Sequence, residues 1–279
     1  MTSRTTVSTF AAVAVLFALA ASIDAATIPV PNASFEVRGT YDPFPESTDK
    51  YLQYGRESWR HFEIESNGGP IRIWNPGLAG VDDTTQGAID TGFGGNAAEG
   101  TYAVLVRSRY NDDRPGSAPR VRDFEAITQI LPDTFDPTMT YTLTAKVGRP
   151  GGSINTITDW YGYALQLAVG GTNVDGASYA GRVDGGTVIA QDSSAIVPIG
   201  SFVTASVTYT PNAADAALAG QPLQIRLAAL ENPNDHALTG WVVFDDVRLD
   251  GTVVPEPSTI TMTLLALGFI GILWRRRRA

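Results

Sequence analysis

Pairs of adjacent aspartates are the residues of this 279-residue chain best suited to binding an ion. They stand at Asp82-Asp83, Asp112-Asp113 and Asp245-Asp246. Carboxylate oxygens are the hard ligands that divalent cations such as Ca²⁺ prefer, whereas the same side chains on an open surface only raise solubility. The sequence therefore allows either a cation site or a solvated acidic surface at these positions.

Aromatic residues are the second group that could contact a ligand. Their rings could stack on sugars or line an apolar pocket, although in a β-sandwich a tryptophan more often packs in the core. Trp241 lies within an apolar strand and is expected to be core. We predict ligand contacts for Trp74, and for Trp160 and Tyr161, which follow a turn at Gly151-Gly152. The wider set of candidates is Tyr51, Tyr54, Trp59, Trp74, Trp160, Tyr161 and Tyr163.

The sequence offers little for catalysis. It has no cysteine, which excludes thiol catalysis and metal-thiolate sites, and only two histidines, His61 and His236. Neither histidine has a nucleophile-elbow motif beside it, and two histidines cannot form a three-histidine metal site. The glycine-rich segments at 92–95 and 170–171 do not precede a helix, as a phosphate-binding loop would require. We therefore predict no catalytic residue from the motifs.

Composition and patterning predict short β-strands that would position these residues. Hydrophobic residues make up 43% and charged residues 18% of the chain, and 28 Gly with 17 Pro supply many turns. Apolar residues alternate with polar ones in about ten segments, most clearly at 140–147. Only 213–219 is helix-like, which disfavours βαβ units. We predict one all-β domain, an antiparallel β-sandwich, over residues 27–252.

The amino terminus has the features of a secretory signal peptide. Arg4 precedes an apolar run of about 15 residues, shorter than the roughly 20 needed to span a bilayer. Small residues follow, so we predict residues 1–26 as a signal peptide that signal peptidase removes near Ala25 or Ala26.

The carboxyl terminus, residues 253–279, resembles a PEP-CTERM protein-sorting signal. It contains Pro255-Glu256-Pro257, an apolar membrane helix at 260–274 and four arginines at 275–278. The arginines should remain on the cytoplasmic side. The resemblance implies an exported protein that the helix anchors transiently in the inner membrane. An exosortase then cleaves it at the Pro-Glu-Pro box, and it reaches the cell surface or the extracellular matrix.

The predicted domain is acidic once both ends are removed. Residues 27–252 contain 15 Lys and Arg against 27 Asp and Glu, a net charge of −12. Nucleic-acid binding depends on neutralising phosphates with basic residues. We therefore predict that nucleic acid is not a partner.

Three motifs in the predicted domain resemble those of carbohydrate-binding-module-like, galactose-binding-like jelly rolls. They are Asn32-Ala-Ser-Phe-Glu36, Glu99-Gly-Thr-Tyr-Ala-Val-Leu105 and Phe244-Asp-Asp-Val-Arg-Leu249. The segments between them, such as 127–131 and 223–227, are also similar to the calcium-dependent Stig cyclases, which share that fold and close terpene-indole rings. The resemblance predicts a jelly-roll fold more strongly than any activity.

The resemblance also implies a structural calcium ion. In such modules an acid of the first motif and an aspartate of the last strand share the ion, which corresponds here to Glu36 and Asp245. Glu99 and the Tyr102 carbonyl would contribute from the middle motif, and Asp246 is the alternative to Asp245. Calcium takes six to eight oxygen ligands, so these groups and water would suffice.

The sequence leaves two functions open. The first is a non-catalytic jelly roll, stabilised by calcium, that binds polysaccharide or another matrix component at the cell surface. The alternative is a Stig-cyclase-like, calcium-dependent enzyme acting on a small hydrophobic substrate, with Asp245 or Asp246 as the motif-matched proton donor. The predicted sorting of the protein to the cell surface favours the first function.

Overall fold

A computed structural model describes residues 25–36, 59–62, 72–74, 82–83, 87–88, 97–100, 103–107, 124–149, 160, 162–174, 182–230 and 241–254. Residues Thr27–Gly251 form a compact unit, and the two ends of the chain are grouped separately. The predicted signal peptide and the apolar helix of the sorting signal lie outside the described residues. Within the described ranges, no helix is long and apolar enough to cross a membrane.

The described chain is almost entirely β-structure. One 3₁₀ helix, Ala213–Leu218, occupies the only segment predicted to be helix-like, and Asn212 and Asp215 cap its first turn. The fifteen described strands are β1 (Ala26–Ile28), β2 (Arg60–Phe62), β3 (Arg72–Trp74), β4 (Asp82–Asp83), β5 (Gly87–Ala88), β6 (Ala103–Arg107), β7 (Phe124–Thr134), β8 (Met139–Arg149), β9 (Tyr163–Val169), β10 (Thr172–Val174), β11 (Arg182–Asp184), β12 (Thr187–Asp192), β13 (Ser201–Tyr209), β14 (Pro222–Leu230) and β15 (Trp241–Val253).

Two large sheets contain thirteen of these strands. The six-stranded sheet has the order β13-β8-β15-β6-β3, with β1 paired to β15. The seven-stranded sheet has the order β10-β11-β2-β7-β14-β9-β12. The pairs of β13 with β8, β6 with β15 and β3 with β6 are antiparallel, as are those that join β2, β7, β14, β9 and β12 in the other sheet, whereas β2 with β11 is parallel. The all-β, antiparallel prediction is therefore confirmed, with more strands than the ten that alternation alone suggested.

The core lies between the two sheets. Side chains from the six-stranded sheet, such as Tyr141 and Phe244, share one buried cluster with Ile127, Leu165 and Leu227 of the seven-stranded sheet. Along β8 the burial alternates residue by residue, because successive side chains of a strand point to opposite faces. The inward faces therefore form the core, and functional groups must come from the outward faces or the ends of the strands.

The edge strand β13 is protected by Asp192, at the end of β12. The Asp192 carboxylate accepts a hydrogen bond from the backbone N–H of Ser206 in β13. It also accepts one from the Tyr163 hydroxyl at 2.5 Å and one from the Ser194 hydroxyl at 2.6 Å. A carboxylate on an edge N–H blocks the edge-to-edge pairing that leads to aggregation.

We predict that Asp192→Asn lowers the free energy of unfolding at pH 7 by about 1–3 kcal/mol. Burial opposes ionisation of Asp192, but the hydrogen bonds from Ser194, Tyr163 and Ser206 outweigh it, so its pKa lies below the usual 3.8. A lowered folded-state pKa stabilises the protein above the unfolded pKa, and this contribution disappears as the pH falls through the folded value. Urea unfolding from pH 7 to pH 2 should therefore show the two proteins converging in acid. A constant difference at every pH would contradict this role.

Candidate functional site

The first candidate site, which we call the acid corner, contains Glu36, Glu99, Asp245 and Asp246. Its centre is Asp245, which is fully buried although its neighbour Phe244 points into the core. Because adjacent strand residues point to opposite faces, Asp245 lies on the outer side of the six-stranded sheet. The acid corner is therefore outside the core.

Asp245 holds the 97–100 segment against the last strand. Its Oδ2 accepts the backbone N–H of Glu99 at 2.8 Å, and its Oδ1 accepts that of Asp246, also at 2.8 Å. Burial raises the pKa of Asp245 to about 7, against the lowering effect of these backbone donors and of Ala98. The buried carboxylate thus fixes the loop that carries Glu99.

Three further carboxylates, those of Glu36, Glu99 and Asp246, lie around the Asp245 side chain. The pKa of Glu99 is raised by a hydrogen bond with Asp246, then by burial and by the negative charges of Asp246 and Glu36, although Arg248 lowers it. Glu36 lies so close to Gly100 that a Cβ at that position would collide with its carboxylate. The structure therefore brings the predicted Glu36, Glu99, Asp245 and Asp246 to one place, from three distant parts of the sequence.

The first motif is positioned by contacts with its neighbours in space. The backbone N–H of Val247 donates to the Ala33 carbonyl, and the Trp59 indole donates to the Asn32 carbonyl, each at 3.1 Å. Phe35 packs on Trp59 with ring centroids 5.3 Å apart. Trp59 and Phe35 are buried and belong to the core. Trp59 is therefore a support for the acid corner rather than an open aromatic platform.

A groove of about 500 Å³ runs beside the acid corner. Arg248 lies in its wall and donates from Nε to Asp246 Oδ1 at 2.6 Å. The groove is lined by polar and apolar residues together: Thr27, Ile28, Val30, Ala33, Ser34, Glu99, Asp246, Val247, Arg248 and Asp250.

The chemistry of the acid corner suits a hard cation. Its side-chain donors are carboxylate oxygens, and the pKa of Glu99 is raised first by its hydrogen bond with Asp246, then by burial, and then by the negative charge of Asp246. Among the described residues, however, no three acidic or imidazole side chains already form a ligand cluster. The Tyr102 carbonyl lies outside the described residues. The donor types therefore fit calcium, while the arrangement is not a closed ligand shell.

The second candidate site, which we call the polar sheet face, is the outward face of the seven-stranded sheet. One row of cross-strand partners runs from β2 to β12 and is polar at every position. Thr128 and Arg226 are almost wholly buried, with exposures of 0% and 4%, and so is Gln166, at 5%. The row consists of Arg60, Thr128, Arg226, Gln166 and Gln191.

Arg226 organises the middle of the polar sheet face. Its Nη2 donates to the carbonyls of Gly185 and Gly186 at 2.9 and 3.1 Å, and to Gln224 Oε1 at 2.9 Å. Gly186 has φ +99°, and a Cβ there would lie 2.9 Å from Arg226 Nη2. A turn of two glycines therefore lets the backbone cover the guanidinium.

Two buried amides of this face have an atom without a hydrogen-bond partner in the described part of the chain. They are Gln166 Oε1 and Gln224 Nε2. An unpaired buried polar atom costs about 1–3 kcal/mol, so native proteins rarely leave one unless it has a role. Patterning could have indicated these residues, since Gln166, Gln224 and Arg226 interrupt two of the most apolar strands. None of the three belongs to a motif from which we predicted a site.

The predicted aromatic ligand contacts are less well defined. Trp160 is half-buried against the core, and the Arg149 guanidinium stacks on its ring at 5.4 Å. Trp74 lies in β3, next to Ala103 of β6. Tyr161 and the side chain of Trp74 lie outside what the structure describes. The ligand contacts predicted for these three residues stay predictions.

Comparison with solved structures shows the fold. A Stig cyclase from Fischerella sp. TAU, in complex with (3Z)-3-(1-methyl-2-pyrrolidinylidene)-3H-indole, is 22% identical, with a TM-score of 0.55 over 83% of this chain and 100% of that one. The apo form of a cyclase from Fischerella sp. is also 22% identical, with a TM-score of 0.54 over 83% of this chain and 98% of that one. The xylan-binding CBM22-1 domain of Paenibacillus barcinonensis Xyn10C covers 80% of this chain and 93% of its own at 11% identity. Its TM-score of 0.35 is too low to support an inference.

Comparison with protein families is more informative. No curated protein sequence matches the chain significantly. The PEP-CTERM protein-sorting motif matches residues 253–278, which include Pro255, Glu256 and Pro257, and it implies export and processing by exosortase. The family described as HpiC1 cyclase matches residues 26–250, nearly the whole of the two-sheet unit. The chain therefore belongs to the HpiC1 cyclase family and carries a PEP-CTERM sorting motif.

Proposed function

We propose that this protein is an exported, exosortase-sorted surface or matrix protein whose jelly roll binds a glycan or another matrix component without catalysis. The observation that carries the proposal is the groove of about 500 Å³ beside the acid corner, whose wall includes Thr27, Ser34 and Arg248. These side chains form hydrogen bonds but do not exchange protons near neutral pH. Such a set suits recognition of hydroxyl and amide groups.

A polysaccharide pull-down with the purified full chain tests this function. We expect Arg248→Met to weaken retention at least tenfold, because the change removes an exposed guanidinium from the groove wall without enlarging the side chain. The matched control is Gln221→Leu, since Gln221 is exposed at the turn before β14. Equal retention of both variants, or no retention of the unmodified chain on any polysaccharide, would refute the proposal.

Calcium at the acid corner is the second part of the proposal. Glu36, Glu99 and Asp246 would supply carboxylate oxygens, and the ion would offset their mutual repulsion. It would also join the first motif to the last strand, as a structural metal does in a domain without disulfides. Asp245 would act mainly by fixing the 97–100 segment.

We predict that calcium raises the melting temperature of the metal-free protein by several degrees and that a chelator reverses the rise. The reason is mass action, because an ion that binds only the folded state stabilises it. Differential scanning fluorimetry of the full chain and of Glu36→Gln, in which the rise should be largely lost, provides the measurement. Equal melting temperatures with calcium and with chelator would refute a calcium site.

Family membership favours one alternative, a cyclase acting on a small hydrophobic substrate. The Fischerella cyclase was crystallised with an indole derivative, so prenylated indoles are the substrates to test. Asp245 would be the proton donor by motif, and its pKa of about 7 suits a general acid. Its two oxygens are, however, occupied by backbone N–H groups, which favours a structural role. Mass-spectrometric detection of a cyclised indole product would favour the enzyme over the binding module.

A further inference from the structure

The cleavage box of the sorting motif begins almost directly after the last strand of the fold. β15 ends at Val253, and only Val254 separates that residue from Pro255, the first residue of the Pro-Glu-Pro box. One intervening residue allows about 7 Å of extended chain between the Cα atoms of Val253 and Pro255. An enzyme that cleaves in the box therefore meets the folded sheet within a few residues. The inference drawn from this spacing rests on the exosortase processing proposed above.

The end of β15 is held along one edge by β1. The Thr27 hydroxyl donates to Asp250 Oδ1 at 3.0 Å, and the backbone N–H of Val247 donates to the Ala33 carbonyl at 3.1 Å. As the first segment runs forward, its partners thus run backward along β15, so the two segments are antiparallel. The start of β1 therefore lies beside the end of β15, with which it pairs.

The strand β8 holds the same end of β15 along its other edge. Gly251 is buried, and a Cβ added there would lie 2.5 Å from Met139 Cε and 3.2 Å from Ile28 Cδ1. Met139 is the first residue of β8, and Ile28 is the last residue of β1. The end of β15 is therefore packed between two neighbours as far as Gly251, and only residues 252–254 remain before Pro255.

Cleavage so close to a paired strand requires that the strand end first opens. Enzymes that cleave peptides bind an extended stretch on both sides of the bond that breaks, and three residues leave little room for this. When opening and closing are fast relative to cleavage, the rate follows the population of the open form. β1 has only three residues and becomes the amino-terminal element once the predicted signal peptide is removed. Short terminal elements open more readily than core strands, so β1 is the neighbour that can release this end.

We propose that the pairing of β1 with β15 controls removal of the sorting tail, the part of the chain that follows the cleaved bond. While β1 is paired, the box lies too close to the sheet for rapid cleavage. When β1 separates, the end of β15 becomes available and one peptide bond of the box is broken. The acyl group before that bond passes to water or to another nucleophile, and the tail leaves with a free amino group. The rate of tail removal thus reports the local stability of this pair of strands.

A spacer tests this control by lengthening the chain between the sheet and the box. A short Gly-Ser insertion between Val254 and Pro255 should raise the rate of tail removal at least tenfold, because the box then becomes accessible without opening of β15. The matched control carries the same insertion after Ile196, which is 90% exposed and precedes β13. Pulse labelling of the full chain in cells that contain the exosortase measures the rates through the fall in mass.

A cross-link tests the control in the opposite direction. The chain has no cysteine of its own, so Thr27→Cys together with Asp250→Cys introduces one possible disulfide, at two side chains that already form a hydrogen bond. In membranes that contain the exosortase, the oxidised variant should lose its tail at least tenfold more slowly than the same variant after reduction. Because the comparison is made within one variant, it does not depend on a difference in folding between variants.

The outcomes separate the control of cleavage from the sorting itself. Equal rates for the spacer variant and the unmodified chain, or for the oxidised and reduced cross-link, would overturn the role of the strand pair but leave exosortase sorting intact. An equal rise in the Ile196 control would also overturn that role, since it would show an effect of overall stability. Retention of the tail by every variant would overturn both the strand-pair control and the proposed sorting.

Discussion

Replacing Arg226 with methionine is expected to lower the free energy of unfolding by about 3–5 kcal/mol, the largest effect we predict for a single polar residue. The arginine is 4% exposed and donates to the carbonyls of Gly185 and Gly186 and to Gln224 Oε1. Methionine fills a similar length but donates nothing, so these oxygens lose their partner inside the protein. Urea denaturation at pH 7, followed by tryptophan fluorescence, measures the loss.

The matched control is Arg248→Met, at an arginine whose side chain is 60% exposed. Its hydrogen bond to Asp246 is a surface ion pair, which contributes about 0–1 kcal/mol. If Arg226→Met unfolded at the same urea concentration as the unmodified chain, Arg226 would not be the internal support of the polar sheet face. A loss of equal size in both variants would show an effect of net charge instead.

The two sheets could be predicted because burial follows alternation in the sequence. Along β8, Tyr141, Leu143, Ala145 and Val147 are buried, and the threonines between them are partly exposed. A strand with one buried face and one solvent-exposed face is an edge or surface strand of a sandwich. The alternation of apolar and polar residues in the sequence reveals such a strand. The strand order could not be predicted in the same way, since pairs such as β2 with β11 depend on contacts between residues far apart in the sequence.

The polar sheet face was not predicted, for a related reason. All seven residues of β9 are buried, as are the seven central residues of β14. Both strands therefore resemble strands covered on two faces, in which a glutamine or arginine is hard to assign to either side. Only the pairing of Arg226 with Thr128 and Gln166 shows that these residues share the outward face.

The acid corner could be predicted only from family motifs. Glu36, Glu99 and Asp245 are separated by more than sixty residues at each step, and no local pattern brings them together. The structure joins them through β15, whose Val247 N–H bonds to Ala33 and whose Asp245 bonds to Glu99. The motifs indicated which acids meet, but not that Asp245 would use both oxygens on backbone N–H groups.

We therefore expect Asp245→Asn to destabilise the domain by about 2–3 kcal/mol and to release the 97–100 segment. Asparagine keeps one acceptor, but its NH₂ group would face a backbone N–H where the aspartate now offers an oxygen. Hydrogen exchange should show the amide of Glu99 exchanging at least tenfold faster in the variant, while amides of β8 and β13 change only with global stability.

The control for this substitution is Asp250→Asn, on the same strand. Asp250 accepts an exposed hydrogen bond from the Thr27 hydroxyl at 3.0 Å, so the change should alter stability by about 0.5 kcal/mol or less. If Asp245→Asn left the hydrogen exchange of the Glu99 amide unchanged, the Asp245 carboxylate would not hold the 97–100 segment in place, and its burial would need another cause. Faster exchange confined to 97–100 would instead establish that this one side chain fixes Glu99 beside Asp246, the arrangement on which any ion at the acid corner depends.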